Sequence, residues 1–197
     1  MKSSAVRRSS VLTILVLICC VANAKAGALA YQHPGTGLIF PDTVGQAKLV
    51  SVRDYEKESP GLGVGIMYRA ETFKADVFLY DLDQGSVPTG AAAPLISAQF
   101  EQAVSDVYAV EKMGIYKDIV MELPKETVRV GAYSFLHSRM IFTQDSNERV
   151  SHLYLTGYKG QFVKVRITYL LSDAANGEKS LTDFLSMLAG SMKAAEQ

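Results

Sequence analysis

Residues 161–170, QFVKVRITYL, alternate between apolar and polar side chains. Successive side chains of a β-strand point to opposite faces, so this alternation predicts a strand with one face in a core and Lys164, Arg166 and Thr168 on the other face. Similar patterns bounded by turn residues predict further strands. They cover residues 46–55, 63–70, 72–82, 119–123, 127–130, 133–143 and 149–158.

Two other segments have helical periodicity. Apolar residues recur at intervals of three and four over 94–113 and again over 179–195, which predicts two amphipathic helices. Pro94 suits the first turn of the first helix and Gly114 suits its end. Gly177 belongs to a turn-like stretch that indicates the start of the second helix.

The order of these elements predicts an α+β fold. Consecutive strands joined by short turns must be antiparallel, because a parallel crossover needs a dozen or more residues. Each helix needs an apolar surface on which to bury its stripe, and the sheet provides it. We therefore predict one domain over 25–197, with a core at about 38–195, in which an antiparallel β-sheet is flanked by two main helices. Ahead of the first predicted strand, Leu38, Ile39 and Phe40 are expected to pack on the body of this domain.

Residues 1–24 have the pattern of an export signal. A basic head precedes an apolar run over 11–21, which is shorter than the ~20 residues that a membrane-spanning helix needs. Small residues then suit cleavage after Ala24 or Ala26. The sequence thus predicts an exported, periplasmic protein without a stable membrane span after cleavage. The basic residues of the head are Lys2, Arg7 and Arg8.

Cys19 and Cys20 leave two alternatives open, a lipoprotein and an uncleaved anchor. Lipid attachment requires a small residue just before the modified cysteine, whereas Ile18 precedes Cys19. If cleavage occurs, both cysteines of the chain leave with the signal. The mature chain then has no disulfide, no thiolate nucleophile and no cysteine metal site.

The mature chain is slightly acidic. Loss of three of the 20 Lys and Arg residues with the signal leaves 17 against 20 Asp and Glu, a net charge near −3. Nucleic-acid binding requires a surface excess of positive charge, so we expect no nucleic-acid partner. About 170 residues are enough for one domain with a sizeable core.

Four stretches of the sequence resemble a known group of proteins. They are FPDTVGQAKLVSVRDYEKESPGLGVGIMYRA at 40–70, LYDL at 79–82, AQFEQAVSDV at 98–107 and YLTGYKGQFVKVRITY at 154–169. The group consists of exported, functionally uncharacterised proteobacterial proteins, and the resemblance covers nearly all of the mature chain. More distantly, the element order is similar to the PsbP-type fold of the extrinsic lumenal subunit of photosystem II and of envelope proteins such as DcrB. This resemblance implies an α-β-α sandwich that assists or binds other proteins, and it supplies no active-site residues.

The mature sequence lacks the motifs of several common chemistries. It has no Gly-x-Ser-x-Gly for a serine hydrolase, and GLGVG at 61–65 lacks the spacing of a phosphate loop. DLDQG at 81–85 begins like a calcium loop but lacks the distal glutamate, so a weak calcium contact would need ligands from elsewhere. A zinc site from His137 and His152 lacks an evident third ligand. We therefore predict no enzyme activity, no cofactor and no metal.

The last strands predict a polar binding face. Parity places His137 with Arg139 on one strand and His152 with Tyr154 on the next. Counting outward from the turn near Ser146 puts Arg139 opposite His152, so a direct histidine pair is not expected. Such a face, cationic and aromatic, suits an acidic protein segment or a small anion; the alternative is a solvated or helix-covered face. The predicted binding residues are Arg139, His152, Tyr154, Lys164 and Arg166.

Three functional hypotheses follow from these features. The first is a non-enzymatic periplasmic accessory protein that binds an envelope or periplasmic protein through the polar sheet face or an adjoining loop. The alternative is a small-ligand carrier with a pocket between sheet and helix, and a hydrolase is third. A carrier would retain a small molecule, whereas an enzyme would need a concave site with a perturbed titratable group.

Overall fold

The computed structural model describes residues 30–197, and its elements follow the predicted order. The predicted signal at 1–24 and the cleavage sites lie outside the described residues. The helices are α1 (Pro94–Lys112) and α2 (Ala174–Ala194), with a 3-10 turn at Leu171–Asp173 directly before α2. The strands are β1 (Tyr31–Gln32), β2 (Ile39–Phe40), β3 (Thr43–Val44), β4 (Ala47–Asp54), β5 (Val64–Arg69), β6 (Phe73–Tyr80), β7 (Lys117–Val130), β8 (Tyr133–Gln144), β9 (Asn147–Tyr158) and β10 (Gln161–Leu170).

Eight of these strands form one sheet in the order β3-β4-β5-β6-β10-β9-β8-β7. Every neighbouring pair in the sheet is antiparallel. β10 is the last strand along the chain but pairs with both β6 and β9, so it joins the first group of strands to the second. Since a helix packs on each side of this sheet, the predicted α+β fold is confirmed.

Each face of the sheet is partly covered by a helix. The face covered by α2, called the α2 face, includes Val163, Val165 and Ile167, which are fully buried. The opposite face, called the α1 face, includes Leu155 and Phe162 beneath α1. Apolar residues on both faces explain why the alternation of β9 and β10 is incomplete. The helix residues that contact the sheet are Leu181, Phe184, Leu188 and Met192 of α2 and Ile96, Phe100 and Ala103 of α1.

β7 corrects one prediction, because the two strands expected at 119–123 and 127–130 are a single strand. Pro124 lies inside it and cannot donate a backbone hydrogen bond. β7 is an edge strand paired only with β8, and its register shifts between Leu123 and Glu126. An edge position with an irregular register tolerates a proline that a central strand would exclude.

The boundaries of the two helices differ from prediction in one place. α1 ends as expected: Gly114 has a φ of +73° and its N–H donates to Glu111 O over 2.8 Å. α2, however, begins at Ala174 rather than near 179, so Gly177 lies within its first turns. Gly177 packs against the ring of Tyr169 and is a packing residue rather than a start signal.

The segment before the sheet meets the prediction in part. Leu38 and Phe40 are fully buried, but the side chain of Ile39 is 43% exposed. Neighbouring side chains in an extended segment point in opposite directions, so only alternate residues reach the core. Within residues 30–197, no helix combines the length and hydropathy that crossing a bilayer requires.

Candidate functional site

The five predicted binding residues lie on two faces of the sheet, which corrects the expected single face. Ile167 of β10 pairs with His152 of β9, and directly opposite residues share a face. Arg166 is the neighbour of Ile167 and therefore points to the other side. The role of the five residues in binding stays a prediction. The α2 face carries Arg139, His152 and Tyr154, and the α1 face carries Lys164 and Arg166.

Two histidines meet on the α2 face, so the expectation that they would not pair is wrong. The count from the turn correctly predicted that Arg139 lies opposite His152, and the structure places His137 opposite Tyr154. His137 nevertheless reaches diagonally, and its Nε2 lies 3.0 Å from His152 Nδ1. Diagonal neighbours on adjacent strands are within reach of ring side chains, and a count of opposite residues does not reveal them.

A continuous row of hydrogen bonds crosses the α2 face through these histidines. His137 Nδ1 lies 2.9 Å from Glu126 Oε1, and His152 Nε2 lies 3.0 Å from the Tyr169 hydroxyl. The Tyr169 hydroxyl donates to Glu178 Oε1 over 2.5 Å. β7, β8, β9, β10 and α2 each contribute one residue. We call the set the histidine network: Glu126, His137, His152, Tyr169 and Glu178.

Burial controls protonation inside the histidine network. His137 and His152 are each 5% exposed. Burial, together with the nearby His137 and Arg139, lowers the pKa of His152 to about 3. Burial and then the hydrogen bond to Glu178 raise the pKa of Tyr169. His152 is therefore neutral where histidines ordinarily titrate, and Tyr169 keeps its hydroxyl proton.

The other two predicted residues on this face are engaged within the protein. Arg139 forms an ion pair with Glu122 of β7. The ring of Tyr154 stacks on His137 with 4.4 Å between centroids, and burial raises the pKa of Tyr154. Because α2 also packs on this face, Arg139 and Tyr154 lie in a polar network inside the α2 face.

The residues of the network do not form a metal site. The facing nitrogens of His137 and His152 are hydrogen-bonded to each other, so they do not converge on a common point. In the part of the chain that the structure describes, no group of three or more His, Cys, Asp or Glu side chains is placed to hold a metal ion.

On the α1 face, a row of cations runs across the first strands. Lys48 of β4 pairs with Arg69 of β5, and Arg69 pairs with Lys74 of β6. Neighbouring strands lie about 4.8 Å apart, so three cationic residues occupy adjacent backbone positions. Like charges directly opposite each other destabilise a sheet. The row continues with hydroxyl groups, Thr168 of β10 and Ser151 of β9.

Two arginines extend this row. Arg166 lies diagonally from Lys74, and its Nε donates to Ser151 Oγ over 3.0 Å. Within residues 30–197, Arg166 Nη2 and Arg149 Nε are buried without a hydrogen-bond acceptor. Buried donors without acceptors are uncommon in proteins. We call the set the cationic patch: Lys48, Arg69, Lys74, Arg149 and Arg166.

The pKa of Lys74 reflects the crowding of positive charge in the patch. Burial, followed by the neighbouring Arg166, lowers this pKa to about 8. Asp76 opposes the effect, but Arg69 and Arg149 act in the same direction as Arg166. Asp76 is itself paired with Arg69, at 2.6 Å between Oδ1 and Nη1. The patch therefore has surplus positive charge, although the mature chain is slightly acidic overall.

Lys164, the other predicted residue on this face, belongs to the packing beneath α1. Its ammonium nitrogen lies 4.9 Å from the ring centroid of Phe78 and 5.4 Å from that of Tyr80. Such contacts with aromatic faces are favourable for a cation. Burial, partly opposed by the nearby Asp106, lowers the pKa of Lys164 to about 8.

Sequence reasoning found Arg166 but missed the rest of the cationic patch. The signal was present, since Lys48, Arg69 and Lys74 each alternate with buried residues of the α2 face. What was missing was the strand order that sets β6 beside β10. In the histidine network, Glu126 and Glu178 were missed because an edge strand and a helix bring them to the histidines.

We expect replacement of Lys74 by methionine to raise the free energy of unfolding by about 0.5–1 kcal/mol. Methionine retains most of the half-buried apolar stem and removes the charge opposite Arg69. Urea unfolding at low and high salt measures the change, which should be larger at low salt because salt screens repulsion. Lys117→Met is the control, because Lys117 is exposed on β7 and lies away from the cations of the patch. A loss of stability in Lys74→Met at low salt would contradict the crowding.

Comparison with known proteins does not place the chain in a family. No protein-family model and no curated protein matches it. Among solved structures, LpqN of Mycobacterium tuberculosis, involved in cell envelope biogenesis, is 13% identical, with a TM-score of 0.42 over 79% of this chain and 85% of that chain. Mog1p, a Ran-binding protein of Saccharomyces cerevisiae, is 12% identical, with a TM-score of 0.41 over 85% of this chain and 95% of that chain. PA94 of Pseudomonas aeruginosa, a protein of unknown function, is 9% identical, with a TM-score of 0.40 over 82% of this chain and 95% of that chain. Likenesses this distant assign the chain to no family and carry no inference about its partners.

Proposed function

We propose that this chain is a non-enzymatic accessory protein of the periplasm that holds an acidic segment of another envelope or periplasmic protein on its cationic patch. The observation that carries the proposal is the row of Lys48, Arg69 and Lys74, directly opposite one another on three strands. The fold gains nothing from this repulsion. A bound carboxylate-rich segment would neutralise it with charge-assisted hydrogen bonds.

The dimensions of the patch suit an extended peptide segment. Lys48 and Lys74 are two strand spacings apart, about 10 Å. An extended segment offers a side chain on one face about every 7 Å, a distance that flexible lysine and arginine side chains can match. A long polyanion such as nucleic acid would also meet the acidic remainder of the surface, which disfavours it.

The histidine network supports a role without catalysis. A general base needs a ring nitrogen free to meet a substrate. The ring nitrogens of His137 and His152 are bonded to Glu126, to each other and to Tyr169, beneath α2. The export signal predicted at 1–24 supports the periplasmic location.

A labelled glutamate-rich peptide tests the proposal directly. We expect it to bind the protein at low salt, and Lys48→Gln with Lys74→Gln to weaken binding at least tenfold, because two of the opposed charges are lost. Fluorescence anisotropy measures the affinity, which should fall as salt rises. Lys57→Gln with Lys179→Gln is the matched control, since both lysines are exposed and lie outside the patch.

The controls separate the proposal from its rivals. A glutamine-rich peptide of the same length should not bind. Equal loss of affinity in the two double variants would show only a general charge effect and would reject the patch as the site. Phosphate and chloride are compared at the same ionic strength. Displacement of the peptide by phosphate but not by chloride would indicate a small-anion site instead. Crosslinking of the exported protein in cells then identifies the physiological partner.

A further inference from the structure

The histidine network needs one more proton than its side chains supply when both carboxylates are ionised. Four hydrogen bonds connect its five residues, and each requires one proton. Two neutral imidazole rings and one phenol supply three protons. One of the four contacts therefore depends on an additional proton.

The direction of the bonds locates that contact. The Tyr169 hydroxyl donates to Glu178, so it accepts from the Nε2–H of His152. The Nδ1 of neutral His152 is then an acceptor and takes the Nε2–H of His137. The remaining nitrogen, His137 Nδ1, faces Glu126 Oε1 at 2.9 Å. Without a further proton, two acceptors would face each other there.

We propose that the histidine network is a binding site for a single proton, shared between His137 and Glu126, and that this proton holds the edge strand β7 to the sheet. With the proton on His137 the contact is an ion pair, and with the proton on Glu126 it is a hydrogen bond between neutral groups. Glu126 is 46% exposed in its side chain, so the proton exchanges with water at this end.

The charged groups around the network agree with this location. β7 contributes Glu122, whose charge is paired with Arg139 of β8. At the far end, Glu178 of α2 accepts from Tyr169 and attracts positive charge, yet burial disfavours a cation at His152. The stacked ring of Tyr154 adds no charge, because burial raises the pKa of its hydroxyl. The His137 end is therefore where a positive charge meets both a carboxylate and water.

Loss of the proton has a structural consequence at the sheet edge. The register between β7 and β8 shifts next to Glu126, between Leu123 and Glu126, so backbone pairing is interrupted there. The contact of Glu126 with His137 is a side-chain link across this irregular stretch. When the proton leaves, Glu126 turns to water and the edge strand loses that link. The strength of the β7 edge is thus linked to pH.

Glu126→Gln provides a sharp test, because the amide N–H₂ supplies the missing donor permanently. Nitrogen-15 NMR of the imidazole rings in the full chain reports the protonation of each ring nitrogen. In the wild type we expect His137 Nδ1 to change from the protonated to the unprotonated range as pH rises, with His152 neutral throughout. In Glu126→Gln, we expect His137 to remain neutral at neutral and alkaline pH, with its proton on Nε2.

The control is Glu148→Gln, an exposed position at the start of β9, in which His137 should titrate as in the wild type. An unprotonated His137 Nδ1 in the wild type at every pH, with no proton shared with Glu126, would overturn the proposal, as would a proton taken up by His152 near neutral pH. These signals need only the folded wild-type chain, so the proposal is tested even if Glu126→Gln does not fold. Peptide binding on the opposite face has a separate readout.

Discussion

Replacement of Gly177 by alanine is expected to lower the free energy of unfolding by about 2–3 kcal/mol. Gly177 lies in the first turns of α2, and a Cβ there would come within 2.3 Å of two ring atoms of Tyr169. The ring cannot move aside, because it is fully buried and its hydroxyl is bonded to Glu178. The clash exceeds the gain that alanine brings in helix propensity, about 1 kcal/mol. Urea unfolding measures the difference.

Gly190→Ala is the matched control in the same helix. A Cβ at Gly190 would meet nothing within 4 Å, so only the propensity gain remains. We expect this variant to be more stable than the wild type by up to about 1 kcal/mol. Equal stability of the two variants would contradict the close approach of α2 to β10. Gly177→Ala should also disturb the ring signals of His152, which bonds to Tyr169.

Acidification to pH 5 is expected to remove about 2 kcal/mol of stability through His152 alone. Burial lowers its pKa in the folded protein from 6.5 to about 3. Between these values the unfolded chain binds a proton that the folded protein does not, so stability falls as pH falls. Urea unfolding at pH 7 and pH 5 measures the loss, which Glu and Asp residues also affect. The comparison is therefore with His152→Gln, whose loss on acidification should be smaller by about 2 kcal/mol.

Proton NMR supplies the control for this comparison. The ring signals of His152 in the folded wild type should show no protonation of this ring down to pH 5, while an exposed histidine would titrate near 6.5. Titration of His152 near 6.5 in the folded protein would contradict the expected effect. Equal losses of stability on acidification in the wild type and His152→Gln would also contradict the expected effect.

The sequence alone was sufficient for the classes and approximate bounds of most elements. Alternation predicted β8, β9 and β10, and the three-four spacing predicted α1, because each pattern follows from how a local segment exposes one face. Prediction failed where tertiary contacts outweigh local signals. Pro124 reads as a break but lies within an edge strand, and Gly177 reads as a helix start but lies within α2.

The candidate sites depended on information that local patterns do not contain. Parity along β10 correctly separated Arg166 from Ile167, but it could not say which residues of other strands share each face. That was decided when β10 inserted between β6 and β9, bringing Lys74 near Arg166 and His152 near Tyr169. The sequence by itself determined an antiparallel α+β domain, since periodicity is a property of each segment. Only the tertiary structure decided the cationic patch and the histidine network, because backbone hydrogen bonds between strands are alike and the choice of neighbour depends on packing of the whole domain.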